Sequence, residues 1–542
     1  MSSHSTSRTY DAPGPGTWEQ DSTHNPLPVT VYKFASTKDS FPKGFREGTA
    51  RYGLLFDYLE PAAVNGFLYS RPVLVDGSNR EEVGRRFEAA RNAFENKIWF
   101  DDLERWDREV KPDSIRRNRA LEAAPLSKFD NEGMIGHLTA ASDNAEEMVY
   151  RHHIFTVASV LPVGTYLAHA VQWTGLDSGL LLAPLQGSSP VSLGAFDEML
   201  QLGAALRSTG VEPSRYAGLS AGATIEALRS RPDELGAATR VFLHAIGMRL
   251  AGGYDVSDAC AFELPDMLLG AIWASRTEAA RPNGDAAATR VRDAVPDPHR
   301  VKFDELLSDA RRMNRLRDER GIYNDSWAYG IARQSLLECG RRLFAAGKLD
   351  SAELAIDASL AELVSLLRGT GGPSSSELRE RADWRRDAPL SEVPAHLGPP
   401  PAPPPPLDGL PPHAFEAMRA MGMALSEVFM PAVESKEATI VGRPVSPGTF
   451  VGTARVIKHS SEFSRLKPGD VLVTASTSPA FNVVLPLLGA IVTDRGGQLS
   501  HAAIIAREYG IPAVVGTGRA TVAIPDGARV EVDGTNGRIR LL

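Results

Sequence analysis

The run PPPAPPPP, Pro399 to Pro406, constrains this chain more than any other stretch, because proline lacks an amide hydrogen and fixes φ. Neither a helix nor a central strand is compatible with it, so it predicts a semi-rigid extended spacer and a domain boundary. Before it, apolar residues recur at helical spacing, as in "REEVGRRFEAARNAFENKIWFDDLERW" and "WAYGIARQSLLECGRRLFAAG". After it come short apolar stretches divided by turns: "TARVI", "DVLVTA", "GAIVTD", "IPAVVGT" and "ARVEVDG". The 542 residues also exceed what one hydrophobic core supports. The predicted organisation is an N-terminal arm (1–44), a mainly helical domain (45–372), a Pro-rich linker with a connecting helix (373–436) and a C-terminal α/β module (437–542). Within the module, helices are predicted at "FNVVLPLL" and "SHAAIIAREYG".

A formal net charge of −8 argues against general binding to nucleic acid or anionic membranes. Two cysteines, Cys260 and Cys339, are too few for a disulfide framework and lack metal-site spacing. The polar start "MSSHSTSRTYDAPGPG" has no apolar signal core, and the longest apolar run, "IFTVASVLPVGTYLAHAV", is interrupted by Pro162, Gly164 and His169. The expectation is a cytoplasmic protein.

The stretch "TDRGGQLSHAAIIAREYG" places a strand end, two glycines and Ser500 immediately before His501. Ser500 suits a helix N-cap and Gly510 the far end, which puts His501 in the first helical turn. The positive end of a helix disfavours imidazolium, leaves a ring nitrogen nucleophilic and stabilises an anion placed there. Gly496 and Gly497 let backbone NH groups approach that anion. The turn from Thr493 through Arg495, Gly496 and Gly497 to Ser500 is the expected phosphate cradle.

Together with "VSPGTFVGTARVI" upstream and "IPDGARVEVDGTNGRIRLL" downstream, this turn closely resembles the swivelling phosphohistidine domain of phosphoenolpyruvate synthase, pyruvate phosphate dikinase and rifamycin phosphotransferase. The resemblance implies that His501 accepts phosphate at a nucleotide site and swings to a second site. Leu499 departs from the threonine that dikinases often show before Ser-His. The helical segment "HAIGMRLAGGYDVSDACAFELPDMLLGAI" and the later "ARRMNRLRDERG" resemble the acceptor-binding domain of rifamycin phosphotransferases and the histidine-bearing subunit of phenylphosphate synthase. Candidate acceptor-binding residues are His152, His153, Arg249 and Glu263.

Two tempting motifs carry no such expectation. "GLSAG", Gly218 to Gly222, lacks the buried strand that a nucleophile elbow needs, and "TGGPSSS" lacks the Gly-Lys-Ser/Thr of a phosphate loop. The sequence leaves no room for an ATP-grasp domain and shows no likeness to a phosphoenolpyruvate-binding barrel. The expected function is therefore that of an ATP-dependent phosphotransferase subunit relaying phosphate through His501 to a hydroxyl of a small organic acceptor. ATP and Mg²⁺ are expected on a separate ATP-grasp subunit, with no metal held by this chain. The alternatives are a ligand-sensing protein with a vestigial phosphohistidine domain, or a phosphocarrier to another protein.

Overall fold

The start of the helical region contains a strand pair that helical periodicity conceals. Asn65 and Gly66 both take positive φ, 52° and 85°, as a two-residue hairpin turn requires. They join β2 (Phe56–Val64) to β3 (Phe67–Leu74) in the computed structural model, which describes residues 8–189, 196–251, 253–276, 283–428, 433, 439–458, 460–477, 481 and 484–542. The N-terminal arm adds β1 (Trp18–Gln20), and β4 (His396–Leu397), just before the proline run, completes a four-stranded sheet in the order β2-β3-β1-β4. The arm is thus wrapped onto the helical body, with Trp18, Phe67, Tyr69 and Leu397 in a small core.

β2 packs on α2 (Ser40–Arg51), which in turn packs on α1 (Val31–Thr37), α3 (Asn131–Ile154) and α4 (Thr156–Thr174). They are followed by α5 (Phe196–Thr209), α6 (Ala221–Arg229), α7 (Glu234–Ile246), α8 (Pro265–Ala274), α9 (Arg300–Tyr323) and α10 (Asp325–Ala345). The long apolar stretch Asn131–Thr174 would satisfy a membrane-span test by length and composition, yet 78% of its most apolar window is buried inside the fold. Its apolar surface is consumed by packing against neighbouring helices. α4 runs through Pro162 without ending.

The segment "ELRERADWRRDAP", within the predicted Pro-rich linker, nevertheless forms α11 (Ser375–Asp387), started by a capping box between Ser374 and Glu377. Charge pairing holds it in place of an apolar stripe. Arg385 makes two bonds of 2.9 Å to Asp357, Arg381 two of 2.9 Å to Glu362, and Trp384 Nε1 donates to the Asn65 carbonyl at 2.8 Å. α12 (Pro412–Val428) buries Ala414, Ala417, Ala420, Met421 and Ala424, and packs along α4. The approach is so close that a Cβ on Gly164 would collide with the Ala420 carbonyl oxygen, so only glycine fits. The proline run therefore joins two elements of one helical body.

The C-terminal module is an eight-stranded sheet, order β5-β12-β11-β7-β8-β9-β10-β6. Its strands are β5 (Ile440–Val441), β6 (Arg443–Ser446), β7 (Thr449–Val456), β8 (Asp470–Thr474), β9 (Leu488–Thr493), β10 (Ala513–Val515), β11 (Arg529–Asp533) and β12 (Arg538–Leu541). β7, β8, β9 and β10 are mutually parallel, and β8, β9 and β10 are buried on both faces, as inner parallel strands are. Val471, Val473, Ala490, Val492 and Val514 enter one core, and Leu472, Ile491, Ala513 and Val515 the other. The helix predicted at "FNVVLPLL" falls partly outside the described residues; Leu485–Leu487 form a 3-10 turn that runs into β9. The second core continues across into the helical region, where Leu268, Ala271 and Ile272 of α8 join it, and α8 packs on the turns at Leu485–Leu487 and Ser460–Arg465. The chain thus combines a helical N-terminal region with a C-terminal α/β module.

Candidate active site

β9 delivers the chain to the histidine turn. The Thr493 hydroxyl, fully buried, donates to the Arg495 carbonyl at 2.7 Å, while Asp494 accepts from the hydroxyls of Thr517, at 2.9 Å, and Thr521. Gly496 has φ 109°, and a Cβ there would lie 2.7 Å from Ser500 Oγ, so both conformation and space require glycine. Ser500 accepts from the Ala503 amide and caps α13 (His501–Tyr509), and Gly510, at φ 64°, closes its C-terminus. His501 is the first helical residue. Gly497 contributes its carbonyl to the Ser500 amide at 3.1 Å, and the Arg495 side chain is exposed.

The two ring nitrogens of His501 have different surroundings. Nδ1 lies 3.0 Å from the Thr477 hydroxyl, supplied by the loop after β8, while Nε2 is buried without a hydrogen-bond partner among the described residues. When Nδ1 carries the proton toward Thr477, Nε2 keeps a lone pair and is the nucleophilic atom. Burial, aided by the charge of Arg317, pushes the imidazole pKa down to about 3, so the ring is neutral at physiological pH.

Arg317 comes from the helical region. It stands on α9, and its Nη2 donates to the carbonyl of Leu499, two residues before His501. Leu499 packs into the helical core beside Val163, Tyr166 and Leu181, and its amide donates to the Glu427 carbonyl at 3.0 Å. Further along α13, Gln186 reaches the Arg507 carbonyl and the Gly187 amide lies 3.0 Å from both oxygens of Glu508. Burial, with Asp318 nearby, raises the Glu508 carboxyl to about 7.

Behind Arg317 the helical region assembles a polar cluster. His152 Nδ1 is 2.8 Å from Asp325 Oδ1, and the rings of His152 and His153 are 4.5 Å apart. Burial lowers both imidazoles, His153 further than His152, and keeps them neutral. His153 packs edge-on against Phe41 at 4.4 Å. Arg320 donates to the His152 carbonyl and the Thr156 hydroxyl at 3.0 and 2.9 Å. His24 of the arm, 3.0 Å from Asp21, meets the ring of Tyr254 at 5.8 Å and shares the field of Arg317 and Arg320. His152 and His153 therefore lie together near α9. Arg249 and Glu263 engage other partners: the Arg249 guanidinium lies 5.5 Å from the Tyr323 ring centre, and Glu263 is clamped by Arg333 at 2.7 and 2.9 Å. Sequence reasoning misses Thr477, Arg317, Arg320, His24, Tyr254 and Asp325. For the two arginines a signal exists, since the core stripe Phe303, Leu307, Ala310, Asn314 of α9 continues into Arg317 and Gly321, beside Arg320.

Residues 466–537 match the PEP-utilising enzyme mobile domain. The phosphotransferase YvkC of Bacillus subtilis, itself uncharacterized, is 32% identical over 265 residues, covering 46% of this chain and 28% of that protein. A match of that length exceeds the C-terminal module and takes in part of the helical region. Rifampicin phosphotransferase of Streptomyces sviceus is 46% identical over 106 residues (20% of this chain, 12% of the relative), and a probable phosphoenolpyruvate synthase of Staphylothermus marinus 50% over 109 residues (19% and 13%). The chain thus spans less than a third of the length of each of these relatives. The matched residues contain the whole turn from Thr493 to His501 and the helix it starts, so the C-terminal module of this chain matches the mobile domain of PEP-utilising enzymes.

Proposed function

We propose that this chain is a phosphotransferase component in which His501 Nε2 carries phosphate to a hydroxyl of a small organic acceptor held by the helical region. The observation that carries the reading is the buried, neutral imidazole whose Nε2 lacks a partner, set at a helix N-terminus and faced by Arg317 from the other region. The relatives named as phosphotransferases and phosphoenolpyruvate synthases support it. In the charged state Arg317 sits close enough to offset the phosphoryl charge, and the shared apolar core beside α8 keeps water from hydrolysing the P–N bond. On transfer the acceptor oxygen bonds to phosphorus as the Nε2–P bond breaks, its electron pair returns to the ring, and the hydroxyl proton passes to a phosphoryl oxygen of the product. Nε2 is enclosed in the present arrangement, so charging takes place with the module elsewhere, at a nucleotide site that we assign to a separate ATP-grasp chain with ATP and Mg²⁺.

The test is radiolabelling from ATP by the matching ATP-grasp protein. Acid-labile, base-stable label is expected on the wild type and none on His501→Ala. Equal labelling of both would end the proposal.

A further inference from the structure

On the same face of α9 as Arg317 stands a second guanidinium that the relay does not use. Arg320 is 9% exposed, and its recorded hydrogen bonds, both from Nη1, go to neutral oxygens, the His152 carbonyl and the Thr156 hydroxyl. Its Nε is buried and has no partner among the described residues, and no carboxylate there lies within ion-pair distance of it. Lys33 of α1, 6% exposed, places its ammonium 4.1 Å from the ring centre of Tyr329, one turn along α10 from Asp325, and it too has no ion pair among the described residues. Three carboxylates bear on the cluster, and each has a partner. Asp325 is bonded to His152, Asp21 to His24 and Asn25, and Asp318 to the Ser189 hydroxyl at 3.1 Å. Burial, reinforced by Arg317, pushes the Arg320 guanidinium down to about 10, which leaves it charged at neutral pH.

A buried cation without a carboxylate costs several kcal/mol, and an unfilled guanidinium edge adds an unmade hydrogen bond. The engaged nitrogen is Nη1, so the side left open is the Nε edge, a planar fork that fits a carboxylate. The geometry points to an acceptor that bears a carboxylate besides its hydroxyl, with the carboxylate held by Arg320 and Lys33 and the hydroxyl directed toward His501 past Arg317. Arg317 and Arg320 then divide the work: one faces the phosphoryl group, the other selects the molecule that receives it. The word acceptor rests on the relay reading above, whereas the anion site is tested by binding alone.

Calorimetry on the full chain decides it, with lactate and 4-hydroxybenzoate as probes, 1,2-propanediol and 4-hydroxybenzyl alcohol as their uncharged counterparts, and inorganic phosphate as a competing anion. At least one carboxylate is expected to bind at least tenfold more tightly than its counterpart. That binding should fall at least tenfold in Arg320→Gln, fall less in Arg320→Lys, and persist in His501→Ala, which separates this site from the relay. Lys33→Met, on another helix, should act in the same direction, and thermal unfolding of each variant checks its folding. Equal binding of charged and uncharged probes, no carboxylate binding at millimolar concentration, or unchanged binding by a folded Arg320→Gln would overturn the inference. Preference for phosphate that is lost in Arg317→Gln and kept in Arg320→Gln would overturn it in favour of a phosphoryl clamp alone.

Discussion

The C-terminal module meets the helical region through two unlike surfaces. Beside α8 the contact is apolar: Leu268, Ala271 and Ile272 share one core with Phe463, Leu485 and Leu488. Along α9 and the 186–187 turn it is polar, made by Arg317 to Leu499, Gln186 to Arg507 and Gly187 to Glu508. Apolar contact is indifferent to whether His501 carries phosphate, whereas charged contact is not. The first surface supplies adhesion; on the proposed relay, the second is the one that responds to phosphate on His501. One docking event can then be strong without being blind to its cargo.

Breaking the apolar half should have the largest effect. A Cβ on Gly270 would lie 3.5 Å from a Leu487 methyl, so Gly270→Asp sets a carboxylate against that side chain. Loss of docking by about 3 kcal/mol is expected, read as an increased radius of gyration by small-angle scattering in both charged and uncharged protein. Arg317→Gln attacks the polar half. It should slow transfer from pre-charged His501 by about a hundredfold while leaving charging by the partner intact, because the two half-reactions use different surfaces. Single-turnover kinetics separate them, and equal slowing of both steps would merge the two surfaces into one.

The pH dependence sharpens the comparison. His501 has its ordinary value of 6.5 when exposed and about 3 when docked, so docking is favoured above 6.5 and weakens as the pH falls below it. Glu508 moves the other way, from 4.5 to about 7, so its contribution is present below 4.5 and is lost as the pH rises to about 7. The two slopes oppose each other between 4.5 and 6.5, which predicts a plateau in docking there and a decline on either side. The smallest effect belongs to Glu508→Gln, which should remove the alkaline decline, turn the plateau into a rise up to pH 6.5, and strengthen docking at pH 8 by about tenfold. Scattering across a pH series on wild type and variant checks both.

The same contrast explains what the sequence reveals. The histidine turn is legible because its chemistry is local: Gly496, Ser500 and His501 lie within six residues, and each obeys a rule of backbone geometry or capping. Most of the strands of the module are legible for the same reason, through apolar runs cut by turns. The polar cluster of the helical region is not, because His24, His152, Tyr254, Arg320 and Asp325 meet only after an arm, a loop and three helices have packed. Arg249 and Glu263, near each other in sequence and plausible by residue type, are drawn to Tyr323 and Arg333 by tertiary contacts that no spacing encodes. α11 is concealed for a third reason, since ion pairs hold it where an apolar stripe would have announced it.

The tight seam between α12 and α4 sets the geometry of any excursion. Because Gly164 lets the two helices touch, α12 belongs to the body up to Val428, and the module begins at Ile440. The connecting leash, 429–439, can span at most about 40 Å by covalent geometry, and in this arrangement the Val433 amide within it donates to the Gly516 carbonyl of the module at 2.8 Å. The proline run lies upstream of that anchor and lengthens the leash by nothing. On the proposed relay, a nucleotide-bearing partner that charges His501 binds this chain within that radius plus the width of the module.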